Sequence, residues 1–144
     1  MSSKVSTNVI KVSTPADIRN VVLVGSSGSG KTTLFENLLK ARITGYRGEK
    51  DDPERAAALT LAALSTGNVL VNLLDAPGHP DFVGELRAGL RAADAAIFVV
   101  SSADGVDNAT SALWNECRAV GMPRAIVLTK LDACLLYTSD AADE

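Results

Sequence analysis

The chain has 144 residues, 47% of them apolar and 22% charged, with 14 basic against 17 acidic side chains and a formal charge of −3. That length supports one domain with a sizeable core, and the composition rules out disorder over most of it. The longest strongly apolar run, 95–100, is far shorter than the roughly 20 residues a bilayer-crossing helix needs, so a soluble, cytoplasmic protein with no membrane partner is expected.

The first segment, 1–16, is polar, rich in Ser and Thr and weakly periodic, without the apolar stretch of a signal peptide; it reads as a loose arm. An apolar strand at 20–24 follows, then the run Gly25-Ser26-Ser27-Gly28-Ser29-Gly30-Lys31-Thr32, and then a helix over 31–41. A charged, irregular stretch occupies 42–55; a loop of that length is mobile or functional. Two short apolar runs, 59–64 and 69–74, flank Ser65-Thr66-Gly67-Asn68 and predict a hairpin. The second run ends in Asp75-Ala76-Pro77-Gly78-His79. A second helix is predicted over 82–92, with Val83, Leu86 and Leu90 on one face and Arg87 and Arg91 opposite. Residues 96–100 are apolar throughout, as in a strand covered on both faces. A third helix is predicted over 107–120, stopping at Gly121 with Pro123 just beyond. A last strand, 125–128, delivers Thr129-Lys130-Leu131-Asp132 at its carboxyl end. Strands alternating with helices predict a mostly parallel sheet whose ligands lie at the C-terminal ends of the strands.

The final eleven residues, 134–144, continue none of these patterns. They match the in-frame translation of a transposase end sequence used as an adapter in sequencing libraries, so they are set aside from the domain, which is expected to span 17–133 and to be cut short there. Without the three acids of this tail, 14 basic residues face 14 acidic ones, and no basic stripe announces a nucleic-acid surface in the body. The two cysteines, Cys117 and Cys134, have no metal-binding spacing. Cys117 lies in line with Leu113 and Val120 and reads as a buried thiol.

The run from Gly25 to Thr32 fits G-x-x-x-x-G-K-[ST]. Its glycines let successive backbone N–H groups turn toward phosphate oxygens, Lys31 brings a cation to the terminal phosphates, and the Thr32 hydroxyl suits Mg²⁺. Ser27, Gly28, Ser29, Gly30, Lys31, Thr32 and Thr33 are therefore the predicted phosphate-binding residues, with the amino end of the helix aimed at the same anion. A flexible Gly/Ser linker would not place Lys-Thr-Thr ahead of Leu34, Phe35, Leu38 and Leu39 at helical spacing. Asp75, at the end of a strand, is placed to hold Mg²⁺ through water. Gly78 permits the backbone to approach a γ-phosphate and donate its N–H. His79, one residue later, is placed to orient an attacking water. The carboxylate of Asp132 can accept from both the N1–H and the 2-amino group of guanine, a donor pair adenine lacks, and Lys130 would lie along the base with its stem supporting the phosphate loop.

In this order and spacing the three motifs resemble the GTP-binding domain of translational GTPases, most of all elongation factor G and its relatives. The resemblance covers about 16–132 and includes Asp17-Ile18-Arg19-Asn20, the stretch from Asp75 to Phe82, Gly84-Glu85-Leu86-Arg87, Gly105-Val106 and the helix bearing Trp114. It implies a Ras-like α/β fold with a P-loop, a mostly parallel five-stranded sheet with strand 2 antiparallel, truncated before the last strand and helix. It also implies GTP as substrate and GDP as product, Mg²⁺ held by Thr32, Thr60 and Asp75, catalysis by His79 and Lys31, monomeric action and the ribosome as partner. Three departures stand out. The phosphate loop has Ser26-Ser27-Gly28 where the family usually has His-x-Asp. The first switch reads Ala57-Ala58-Leu59-Thr60 instead of Arg-Gly-Ile-Thr. Thr129 replaces the usual asparagine, which is expected to weaken one bridge to the phosphate loop. The rival readings are a switch protein that holds GTP with little hydrolysis, a ribosomal protection protein, and a phosphate-loop ATPase.

Overall fold

A computed structural model describes residues 12–48 and 58–133. The adapter-like tail and most of the N-terminal arm lie outside the described residues, as do 49–57 of the charged stretch and of the first switch. Among the described residues five strands, β1 (Ile18–Val24), β2 (Thr60–Thr66), β3 (Val69–Asp75), β4 (Ala95–Ser101) and β5 (Arg124–Thr129), form one sheet in the order β2-β3-β1-β4-β5. The β2–β3 pair is antiparallel, joined through the predicted hairpin with Gly67 at φ 56; the other three pairings are parallel. The expected mixed α/β sheet with strand 2 reversed is what forms.

Three helices among the described residues cover the sheet: α1 (Lys31–Arg42), α2 (Val83–Ala92) and α3 (Asn108–Ala119). β1 sits in the middle, and its Val22, Leu23 and Val24 are fully buried because alternate side chains meet helices on both faces. On one side Leu23, Leu73 and Val99 pack with Phe35, Leu39 and Ile43 along α1. On the other, Val22, Val24, Leu74 and Phe98 pack with Leu90, Leu113 and Cys117. Burial pushes the Cys117 thiol up, which makes it an inert core residue, as its spacing predicts. The outer strand β5 leaves Ile126 and Leu128 each 55% exposed.

Helix ends fall within one or two residues of the predicted places. The second helix begins at Val83 rather than Phe82, because Pro80–Phe82 forms a separate 3-10 turn capped by His79. Helix α3 starts after Asp107, whose Oδ1 accepts from the Thr110 N–H at 2.6 Å. That hydrogen bond holds the Asp107 carboxyl below the usual carboxylate range. Asp107→Ala is expected to lower stability by about 1 kcal/mol in urea denaturation. A carboxyl whose pKa is depressed by folding stabilises most above its unfolded value and loses that contribution as pH falls through the folded value. The gap between parent and variant should therefore close below about pH 4.

Candidate nucleotide-binding site

The phosphate loop leaves β1 at Gly25 and turns through a Ser29 N–H to Ser26 carbonyl hydrogen bond of 3.2 Å. Gly30 precedes α1 at φ 93, a left-handed geometry that places no side chain over the amino end of the helix. The first N–H groups of α1 are thus not capped by a side chain, the arrangement that receives an anion. Lys31 is only 6% exposed, and its ammonium folds back to donate to the Ser26 carbonyl at 2.8 Å. Burial lowers its pKa, against which the nearby carboxylates of Asp75 and Asp107 act. A desolvated cation curled over a ring of amides is ready to exchange a carbonyl for phosphate oxygens.

Sheet register brings the second element to the same place. β1 and β3 pair Leu23 with Asp75, so β3 ends level with the point where the chain turns into the phosphate loop. There the Thr32 hydroxyl donates to Asp75 Oδ2 at 2.8 Å, with Asp75 itself buried. The antiparallel β2–β3 register sets Thr60 directly opposite Asp75, so all three predicted metal residues converge although they are far apart in the chain. No group of three or more His, Cys, Asp and Glu side chains that could hold a metal occurs among the described residues. One carboxylate with two hydroxyls fits Mg²⁺, which keeps waters and phosphate oxygens in its shell and takes few protein ligands.

Gly78 lies hard against the phosphate loop. A Cβ built there would overlap Lys31 Nζ and come within 2.8 Å of Ser27 N and 2.9 Å of Gly25 O. Only a residue without a side chain lets this segment close. His79 is more than half exposed; its Nδ1 lies 3.3 Å from Asp81 Oδ2 and accepts from the Asp81 N–H at 3.4 Å, and its ring tilts against Phe82 at 6.1 Å. A cavity of about 280 Å³ joins His79 and Gly78 to Ser26 of the phosphate loop and to Asp107 and Thr110 at the start of α3. Arg87 donates to Glu116 at 3.1 Å and ties α2 to α3 beside it. Asp107 is the residue near this site that sequence reading passes over: its cap motif marks a helix start, but its influence on Lys31 depends on where α3 docks.

The third motif meets the first from the other side. The Thr129 hydroxyl donates to the Ser29 carbonyl at 2.6 Å and also lies 3.3 Å from the Val100 carbonyl. The bridge expected to be weakened by replacing asparagine is therefore present as a short, direct hydrogen bond. The Lys130 Nζ lies 3.3 Å from Asp104 Oδ2, which points the amine to the loop after β4. Asp132 is exposed, in a short helical turn over 131–133.

Comparison with known proteins agrees with this assembly. Residues 16–143 match the family model described as the elongation factor Tu GTP binding domain. An elongation factor G-like protein of Mycobacterium tuberculosis is 52% identical over 132 residues, covering 82% of this chain and 18% of that protein. The tetracycline resistance protein TetP of Clostridium perfringens is 30% identical over 80% of this chain and 20% of its own. A crystal structure of a protein from Thermus thermophilus superposes with a TM-score of 0.73 at 42% identity, covering 81% of this chain and 20% of that one. Translation elongation factor SelB of Methanococcus maripaludis, solved with the GTP analogue GppNHp, gives 0.64 at 25% identity, covering 79% of this chain and 22% of its own. The chain spans about a fifth of the length of the relatives it matches. With a phosphate loop, an Asp75 to Gly78 segment folded onto it and Thr129 bridged to its floor, this chain belongs to the translational GTPases and represents the N-terminal part of their GTP-binding domain.

Proposed function

We propose that the chain binds GTP with Mg²⁺ and hydrolyses it to GDP, as the front part of an elongation factor G-like protein that works as a monomer on the ribosome in the cytoplasm. The observation that carries this reading is the meeting of Thr32 and Asp75 at 2.8 Å beside a buried Lys31, under a Gly78 that no other residue could replace. In this reading the amides from Ser27 to Thr33 surround the α- and β-phosphates and Lys31 neutralises charge on the β- and γ-phosphates. Gly78 N–H senses the γ-phosphate. Mg²⁺, when bound, would supply charge neutralisation for the phosphates, and Thr32, Thr60 and Asp75 are the residues that would hold it. His79 faces the cavity beside Ser26 and orients a water for in-line attack on the γ-phosphorus. Asp132 reads the guanine edge and Thr129 ties that reading to the phosphate loop.

Arg87 lines the cavity beside Ser26 and His79, but its guanidinium is held by Glu116 at 3.1 Å, so slow intrinsic turnover and acceleration by a partner are expected; family membership points to the ribosome. Translocation or ribosome recycling is the cellular task this reading proposes, with ribosome protection as the alternative. Two measurements test the proposal. Calorimetry with Mg²⁺ should show GTP bound well ahead of ATP, and equal affinities would refute guanine selection. In a full-length relative carrying the same segment, the change equivalent to His79→Ala should cut ribosome-stimulated hydrolysis by about 10²-fold or more while nucleotide affinity is kept. An unchanged rate would remove His79 from catalysis.

A further inference from the structure

The loop after β4 clasps the base-reading segment. The Ser102 N–H donates to the Thr129 carbonyl at 2.9 Å, and the Ser102 hydroxyl donates to the Lys130 carbonyl at 2.6 Å. Two residues on, Asp104 Oδ2 meets Lys130 Nζ at 3.3 Å. Asp104 is itself anchored: its N–H donates to Ser101 Oγ at 3.3 Å, and the Gly105 N–H donates to the Ser101 carbonyl at 2.9 Å. Ser101 is 1% exposed at the end of β4, in register with Thr129 on β5. The clasp is therefore rooted in the core of the sheet.

What it holds is unusual. Lys130 has φ 54 and is the described non-glycine residue with positive φ. A side-chain-bearing residue avoids that geometry, and it persists only where neighbours over-determine it. Here Ser102 holds the carbonyls on both sides of the Lys130 N–Cα bond, and Asp104 holds the far end of the side chain. The kink at Lys130 sets the direction in which Leu131 and Asp132 leave β5.

We propose that Ser102 and Asp104 are positioning residues for guanine selection, holding the kinked Thr129–Lys130 backbone so that Asp132 is presented to the base in one orientation. This rests on the reading of the site as a GTP site. Neither residue touches the nucleotide in this scheme; both act through Lys130. Asp104 acts through an exposed ion pair, with side chains 45% and 65% exposed, so its share is modest and screened by salt. Ser102 acts through a hydrogen bond to a backbone carbonyl, which salt leaves intact.

The test measures displacement of a fluorescent GDP from the 144-residue chain by GTP and by ATP, for the parent, Asp104→Asn, Ser102→Ala and the double variant. GTP affinity should fall about threefold in Asp104→Asn, about fivefold in Ser102→Ala and about tenfold or more in the double variant. ATP affinity, which uses the phosphate loop alone, should stay constant, so the GTP:ATP ratio falls. The Asp104→Asn effect should vanish in about 0.5 M salt and the Ser102→Ala effect should remain. Equal loss of GTP and ATP affinity, or an unchanged ratio, overturns the proposal, because a merely structural weakening lowers both nucleotides together. A parent chain without preference for GTP overturns the GTP reading and this inference with it. A selective parent whose variants stay equally selective overturns this inference alone.

Discussion

Gly78→Ala is expected to lower GTP hydrolysis by about 10²-fold or more while GDP affinity stays close to the parent value. The methyl group would enter space already held by Lys31 Nζ, Ser27 N and Gly25 O, two of them backbone atoms that cannot swing aside. The segment from Ala76 to His79 must then stand away from the phosphate loop. On the proposed reading this removes an N–H donor from the charge developing on the γ-phosphate, a loss whose usual cost is about 10² to 10³ in rate. GDP lacks that phosphate and should not register the difference. Single-turnover hydrolysis beside GDP titration separates the two effects. A variant that hydrolyses GTP at the parent rate would overturn the proposed role of Gly78 in closing onto the loop. Because α2 follows this segment and is tied to α3 through Arg87 and Glu116, the displacement should also loosen that ion pair.

Phe98→Ala should be the most damaging single change to stability, by about 3 to 5 kcal/mol. Phe98 is 1% exposed on β4, within the cluster that joins β1, β3, α2 and α3. Its ring meets Trp114 of α3 edge-on at 5.0 Å, and Arg124 lies over the same indole at 4.6 Å. Removing the ring leaves a cavity at the only place where α3 is keyed to the sheet by an aromatic pair among the described residues. A domain with the usual total of about 5 to 15 kcal/mol would lose a large part of its stability. The chain has one tryptophan, so Trp114 emission reports the change directly. A red-shifted native spectrum and a lower urea midpoint are expected. A midpoint within error of the parent would mean that α3 is held by other contacts. Since Asp107 and Thr110 at the start of α3 line the cavity beside His79, this variant should weaken nucleotide binding as well.

Local chemistry wrote much of this protein into its sequence. The apolar run of β1, the glycines and lysine of the phosphate loop, the start of α3 near Asp107, the stop at Gly121 and the order of the three motifs all depend on neighbours in the chain, and the helix bounds fall within a residue or two of where the sequence predicts them. Such signals survive because helix periodicity, turn geometry and phosphate-loop curvature are properties of a few consecutive residues. Contacts between distant segments are not legible. Nothing in the sequence shows that Thr60 faces Asp75, since that needs the β2–β3 register, or that Asp107 bears on Lys31, since that needs α3 docked through Trp114 and Phe98. The strength of the Thr129 bridge is hidden for the same reason: a hydroxyl reaches less far than an amide, and only the fold brings the Ser29 carbonyl to 2.6 Å. Residue type predicts the Lys130 stem along the base and in support of the phosphate loop; that its amine lies beside Asp104, a residue 26 positions earlier, needs the parallel pairing of β4 and β5. Residue types establish which groups can bind a nucleotide; the sheet, by setting strand ends level, decides which of them meet.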